Sequence, residues 1–176
     1  MRTRYKILNP EALHFVTSTT VNWIKIFTED KYYNILTDSI KFYQKQKRLR
    51  LVAYVFLPDH FHLLLQSDEL CNVMKLIKSY SAKQKIRQLK SDGKESILKL
   101  LKENKKEYKT GRTYQVWQEG FQPKTIMSEY MYSQKINYIH FNPVKLELVT
   151  DPTEWKYSSA EYYVKNKAGV LSLDLD

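Results

Sequence analysis

The most ordered pattern in the chain is LVAYVFLPDHFHLLLQ, in which two apolar runs flank Pro58-Asp59. Proline presets φ and aspartate tolerates turn geometry, so this pair suits a tight turn, and the pattern predicts a hairpin with strands over 51–57 and 60–66. Upstream, residues 13–27 (LHFVTSTTVNWIKIF) are rich in Val, Thr, Ile and Phe and predict a strand, with room for a break in its middle. Between the two, Tyr33, Ile35, Leu36, Ile40 and Phe42 recur with a roughly helical period, which predicts a helix from Asp30 to Lys47.

Past the hairpin, residues 69–107 read as helical. Val73, Met74, Ile77, Ile86 and Leu89 fall at helical spacing, Ser91-Asp92-Gly93 makes a break, and a second, lysine-rich helix follows. A strand is predicted around Tyr114–Trp117. The last helix is predicted from Ser128, a natural N-cap, to about Phe141, carrying Tyr130, Met131, Ile136, Tyr138 and Ile139. Asn142-Pro143 should end or kink it, because the residue before a proline is pushed away from helical angles. Strand, helix, hairpin, helix, strand and helix make an α+β plan, for which a ferredoxin-like antiparallel sheet with helices on one side fits best. With no repeat, no low-complexity linker and only 4 Gly and 5 Pro, residues 1–176 read as a single domain.

Charge changes the picture from fold to partner. Twenty-nine Lys and Arg against 19 Asp and Glu give a net charge of +10, which favours a polyanion, with nucleic acid ahead of an anionic membrane surface. No stretch approaches the roughly 18 apolar residues of a spanning helix, and MRTRYKILNP has no apolar signal core, so a cytoplasmic protein with no membrane partner is expected. The lysines from Lys75 through Lys109 are too many for one helical face and read mainly as solvated charge. Cys71, the one cysteine, lies in an apolar run and reads as a buried thiol. Tyrosine is abundant, 14 against 7 Phe, and suits either half-buried packing or stacking on bases.

Two groups of residues offer chemistry. His60 and His62 are one residue apart on a predicted strand, so both imidazoles share a face while Phe61, Leu63 and Leu65 take the other. Such a pair is either a metal site or two packed, hydrogen-bonded histidines. On the last helix, Tyr138 and Asn142 are four apart and Gln134 is one turn back, which sets a phenol beside neutral oxygen ligands on one face. Tyr130 and Tyr132 are rival nucleophiles without an oxygen ligand four residues on. His14 and His140 read as structural, and Trp117, Trp155 and Phe121 as packing residues.

The segments AYVFLPDHFHLLLQ, VWQEGFQPKTI, INYIHFNPVKLELV and DPTEWKYSSAEYY resemble, in order and spacing over residues 14–163, the REP-associated tyrosine transposases and the wider group of single-tyrosine HUH insertion-sequence transposases. Leu57-Pro58-Asp59-His60-Phe61-His62 and Tyr138-Ile139-His140-Phe141-Asn142-Pro143 carry most of that resemblance. It implies that His60 and His62 hold a divalent ion, Mg²⁺ or Mn²⁺, that Asn142 is the third metal ligand, as in the REP-associated branch, and that Tyr138 is the catalytic tyrosine. Many relatives carry an acidic residue near Gln122-Pro123-Lys124; this chain has none there, so no role is transferred to that segment.

The implied activity is metal-dependent cutting and rejoining of single-stranded DNA at hairpin (palindromic) elements through a 5′-phosphotyrosine, by a monomer or a homodimer. An ordinary phenol of pKa about 10 is only about 0.1% ionised at pH 7, so its full activation amounts to roughly 4 kcal/mol, which a metal ion or a base acting through water must supply. Two other readings stand beside this one: a domesticated, non-catalytic nucleic-acid-binding module of the same fold, and a histidine-based nucleotide hydrolase. The hydrolase usually has a longer His-x-His-x-His pattern, and Leu64 occupies the third position here.

Overall fold

The computed structural model describes residue 9 and residues 11–175, so the reading of MRTRYKILNP as free of a signal core falls almost wholly outside the described residues. The elements run β1 (His14–Thr19), α1 (Asp30–Lys45), β2 (Arg50–Phe56), β3 (His60–Gln66), α2 (Leu70–Ser91), α3 (Glu95–Glu103), β4 (Gln122–Thr125), α4 (Glu129–Lys145) and α5 (Ala160–Lys165). The four strands form an antiparallel sheet in the order β2-β3-β1-β4. This is the expected α+β, ferredoxin-like plan, with β2 and β3 joined by the hairpin at Pro58-Asp59.

Strand alternation divides the core in two. Val16, Leu51, Tyr54, Phe56, Phe61, Leu63 and Leu65 face α1, α2 and α3, where they pack with Tyr32, Leu36, Ile40, Met74 and Ile77. Phe15, Val52, Ala53, Val55 and Leu64 face the other way, against Ile136 and Ile139 of α4. The helices of the ferredoxin-like unit thus share one side of the sheet, and α4, outside that unit, covers the opposite one. Among the described residues no helix is long and apolar enough to cross a membrane.

Residues 13–27 are broken in the middle, as their sequence left room for: the first strand ends at Thr19, and Asn22 and Trp23 adopt left-handed angles (φ 49° and 55°) in a short 3₁₀ turn. Three other local readings change. Helix α1 buries Tyr33, Leu36 and Ile40 of the predicted face, but near its end Tyr43 is buried and Phe42 is exposed. The strand expected at Tyr114–Trp117 is reduced to a single bridge between Thr20 and Trp117, and the sheet is completed instead by β4. Pro123 suits that place, because an edge strand tolerates a residue without an N–H. Helix α4 continues through Pro143 to Lys145. Proline there forfeits only one backbone bond near the helix end.

Candidate metal and nucleophile site

Backbone bonds hold the hairpin turn in place. The Pro58 carbonyl accepts from the amides of Ile26 and Phe27, each at 3.0 Å, and the Asp59 carbonyl accepts from the Thr20 amide at 2.8 Å. Both carbonyls are thereby tied to the segment following β1, which sets where β3 begins. From that start, His60 and His62 project from one face of β3, as alternation requires, with ring centroids 5.0 Å apart. Phe61, Leu63 and Leu65 take the other face.

Each imidazole has one nitrogen engaged. The Nδ1 of His60 lies 2.5 Å from Oδ1 of Asp59. The Nδ1 of His62 lies 2.8 Å from the Thr17 hydroxyl, which the β1–β3 register sets directly opposite it. The Nε2 of His62 is buried and has no hydrogen-bond partner among the described residues. Burial first, then the nearby charges of His60 and Lys135, push this imidazole down to about 3, so it is neutral at pH 7. A neutral imidazole with one nitrogen anchored and the other free is the form that ligates a metal.

Helix α4 lies over these rings. Its start is capped as expected, the Ser128 hydroxyl accepting from the Met131 amide at 3.2 Å. Tyr138 packs edge-on to His62, with centroids 5.1 Å apart, and to Phe15 at 5.8 Å. Phe15 in turn stacks on His62 at 5.2 Å. Tyr138 is still 38% exposed, so its phenol is reachable from solvent. Because α4 runs through Pro143, Asn142 keeps its place one turn beyond Tyr138 on the same helix, and it is buried. Gln134 is exposed. Of the rival tyrosines, Tyr130 is 78% exposed, and Tyr132 reaches the Tyr163 hydroxyl at 3.4 Å, with no ring packing against either histidine.

Several neighbours escaped sequence reasoning. The ammonium of Lys135 lies 4.7 Å from the Phe15 ring centre and 5.5 Å from that of Tyr138, and the ammonium of Lys145 lies 5.3 Å from Tyr138. Trp23, exposed on its left-handed turn, stands edge-on to His60 at 5.6 Å. Only Asp59, next to His60 in sequence, carried a local signal, and it was read for the turn alone.

The residues read as structural are packed. His140 is buried, with Nε2 3.0 Å from the Ser159 hydroxyl, and His14 is fully buried. Trp117 donates its indole N–H to Ser81 at 3.1 Å, Trp155 donates to the Phe56 carbonyl at 2.9 Å, and Phe121 packs against the larger core. Cys71 is only half-buried.

Among the described residues no group of three or more His, Cys, Asp and Glu is placed to hold a metal ion. A metal site here would rest on the two imidazoles, with the buried Asn142 as the further ligand that the sequence resemblance implies. The unpartnered Nε2 of His62, together with the carboxylate on His60, fits that donor set: outer-shell bonds of this kind orient histidine ligands and raise their basicity.

No family model matches the chain. In sequence it is 29% identical over 154 residues to a protein of Haemophilus influenzae named "Putative REP-associated tyrosine transposase", a match covering 88% of this chain and 82% of that protein. In fold it superimposes on a solved structure of a REP-associated tyrosine transposase bound to a REP hairpin, with a TM-score of 0.67 at 18% identity, covering 100% of this chain and 94% of that one. The chain is thus similar over most of its length to a REP-associated tyrosine transposase, and it has the fold of that family.

Proposed function

We propose that this protein is a single-strand DNA transposase that cuts and rejoins DNA beside hairpin elements, with Tyr138 as nucleophile. The observation that carries the reading is the packing of the Tyr138 ring against His62, an imidazole whose second nitrogen is buried and free. The likeness to a named REP-associated tyrosine transposase, and to the fold of one bound to a REP hairpin, supports the substrate class.

In this reading the Tyr138 oxygen attacks the scissile phosphorus, and the bond from phosphorus to the 3′ oxygen breaks. The phenolic proton passes to water and the departing 3′ oxygen takes one up, leaving a 5′-phosphotyrosine and a free 3′-hydroxyl. Attack by another 3′-hydroxyl reverses the step and joins strands without an external energy source. His60, His62 and Asn142 would hold Mg²⁺ or Mn²⁺, which when bound supplies positive charge to the phosphate oxygens. Asp59 and Thr17 orient the two imidazoles. Lys135 and Lys145 add fixed positive charge on the Tyr138 side, where the attacked phosphate gathers negative charge.

The test uses hairpin oligonucleotides from the gene's own flanks, labelled at either end and incubated with Mg²⁺, Mn²⁺ or EDTA. A metal-dependent covalent adduct on the 5′ side of the cut, absent from Tyr138→Phe, is expected. Tight binding with no adduct in any metal would instead identify a binding module that has lost catalysis.

A further inference from the structure

A cavity of about 940 Å³ lies away from the histidines. It is an open groove on the α2 side of the sheet, between α2 and residues 109–121. One wall is a stripe of α2 that includes Lys75, Lys78 and Lys83; the other carries Lys109 and Arg112. The single acid in it, Glu119, is already taken by Lys109 at 3.0 Å and by the Tyr108 hydroxyl. Lys78 forms the floor, buried, its ammonium donating to the carbonyls of Gln118 and Gly120. Lys75, Lys83 and Arg112 are exposed and form no ion pair among the described residues. The groove therefore carries an excess of positive charge with no internal partner.

Its position gives that charge a direction. The wall residues Gly120 and Phe121 lead directly into β4, the edge strand. On β4, Lys124 pairs with Phe15 and so stands on the opposite face, the face of His62. Lys124 is close enough to Lys135 for the repulsion to help lower the ammonium of Lys135 below its ordinary range, after burial, and Lys135 covers Phe15 beside Tyr138. Cations thus run from the groove, round the sheet edge at β4, to the candidate nucleophile. A run of positive charge suits a phosphodiester backbone, and each phosphate contact releases condensed counterions.

We propose that the groove between α2 and residues 109–121 holds the sugar–phosphate backbone of the substrate DNA away from the cut, and that Lys124 guides the strand round the β4 edge to Tyr138. This rests on the reading of the protein as a DNA transposase and adds an anchoring site to it. Lys75, Lys83 and Arg112 are binding residues, with no part in the covalent step.

The test compares the full-length wild type with the triple variant Lys75→Gln, Lys83→Gln, Arg112→Gln, all exposed positions, after matching thermal melts establish that both are folded. Affinity for a fluorescent hairpin oligonucleotide is titrated over a series of salt concentrations, and adduct formation is measured at saturation on a short oligonucleotide spanning only the cut. The expected result is a loss of hairpin affinity of about tenfold or more and a fall of about 2 in the salt slope, roughly 0.7–0.9 per lost phosphate contact, with unchanged adduct yield on the short substrate. Unchanged affinity and slope in a variant whose parent binds the hairpin would overturn the groove alone. A shift in the oligomeric state of the DNA-free variant would also overturn it, since a second copy of the chain would then be the occupant. A wild type that neither binds nor cuts hairpin DNA would overturn the transposase reading, and the groove proposal with it.

Discussion

Thr17 and His62 face one another across β1 and β3, hydroxyl to Nδ1 at 2.8 Å, and that contact leaves Nε2 of His62 as the unpartnered nitrogen of its own ring among the described residues. Replacing Thr17 with Val keeps the strand-forming shape and removes the anchor. Outer-shell changes of this type typically lower metal affinity about 10- to 100-fold. Calorimetric titration of Mn²⁺ into wild type and Thr17→Val should show that loss. Equal affinities would mean that Thr17 does not orient a ligand.

Trp23 lies at φ 55° and is 56% exposed, edge-on to His60. A left-handed residue other than glycine costs roughly 1–2 kcal/mol, and nothing in the core repays a bulky exposed indole there. Trp23→Gly should therefore melt at the same temperature as wild type or higher. If the indole stacks a base beside the cut, worth about 1–3 kcal/mol, adduct formation at limiting DNA should fall about tenfold. A variant that gains stability and keeps full activity would assign Trp23 no part in DNA binding.

Much of this site was legible because its signals are local. Pro58-Asp59 marks a turn, alternation sets His60 and His62 on one face, and the four-residue step from Tyr138 to Asn142 survives because α4 runs through Pro143. What could not be read depends on partners distant in sequence. Thr17 is opposite His62 only through the β1–β3 register, and nothing in its own neighbourhood signals that. Strand β4 was missed because Gln122-Pro123-Lys124-Thr125 is short, polar and carries a proline, the marks of a loop, whereas Tyr114–Trp117 has the aromatic and branched residues of a strand. Those residues are buried in part for another reason: Val116 and Trp117 pack against the α-helical side of the core.

Lys85 projects from α2 into the core, fully buried, with its amine 3.2 Å from the Phe27 ring centre and 4.7 Å from that of Trp117, and without a hydrogen-bond partner. Burial pushes it well below the ordinary lysine range. Lys85→Met fills the same space without a charge to desolvate, and should stabilise the fold by about 1–3 kcal/mol, the usual cost of an unpaired buried polar group. Thermal melts at pH 7 would measure it. A comparable destabilisation would mean that the two rings hold a charged ammonium.

The same lysine contributes to a pH dependence whose sign can be worked out. Lys78 is pushed down to about 8 by burial, so between about pH 8 and the ordinary lysine value of 10.5 the unfolded chain binds more protons than the folded one. Stability rises with pH in that window. Lys85, depressed further, extends the rise to lower pH. Tyr32, Tyr33, Tyr157 and Tyr163 are raised above 10 by burial, so above that pH the folded chain holds more protons and stability falls. Melting temperature should therefore climb from pH 7 to a maximum near pH 10 and then drop, and the climb should be shallower in Lys85→Met. A flat or falling profile from pH 7 to 9.5 would contradict these assignments.

Mass spectrometry of the trapped adduct identifies the residue that makes the covalent link. Wild-type protein is incubated with single-stranded hairpin DNA and Mn²⁺, the complex is digested with nuclease and protease, and the modified peptide is sequenced. A nucleotide 5′-phosphate on the Tyr138 side chain is expected; the same modification on Tyr130, Tyr132 or a histidine would take the role of nucleophile from Tyr138.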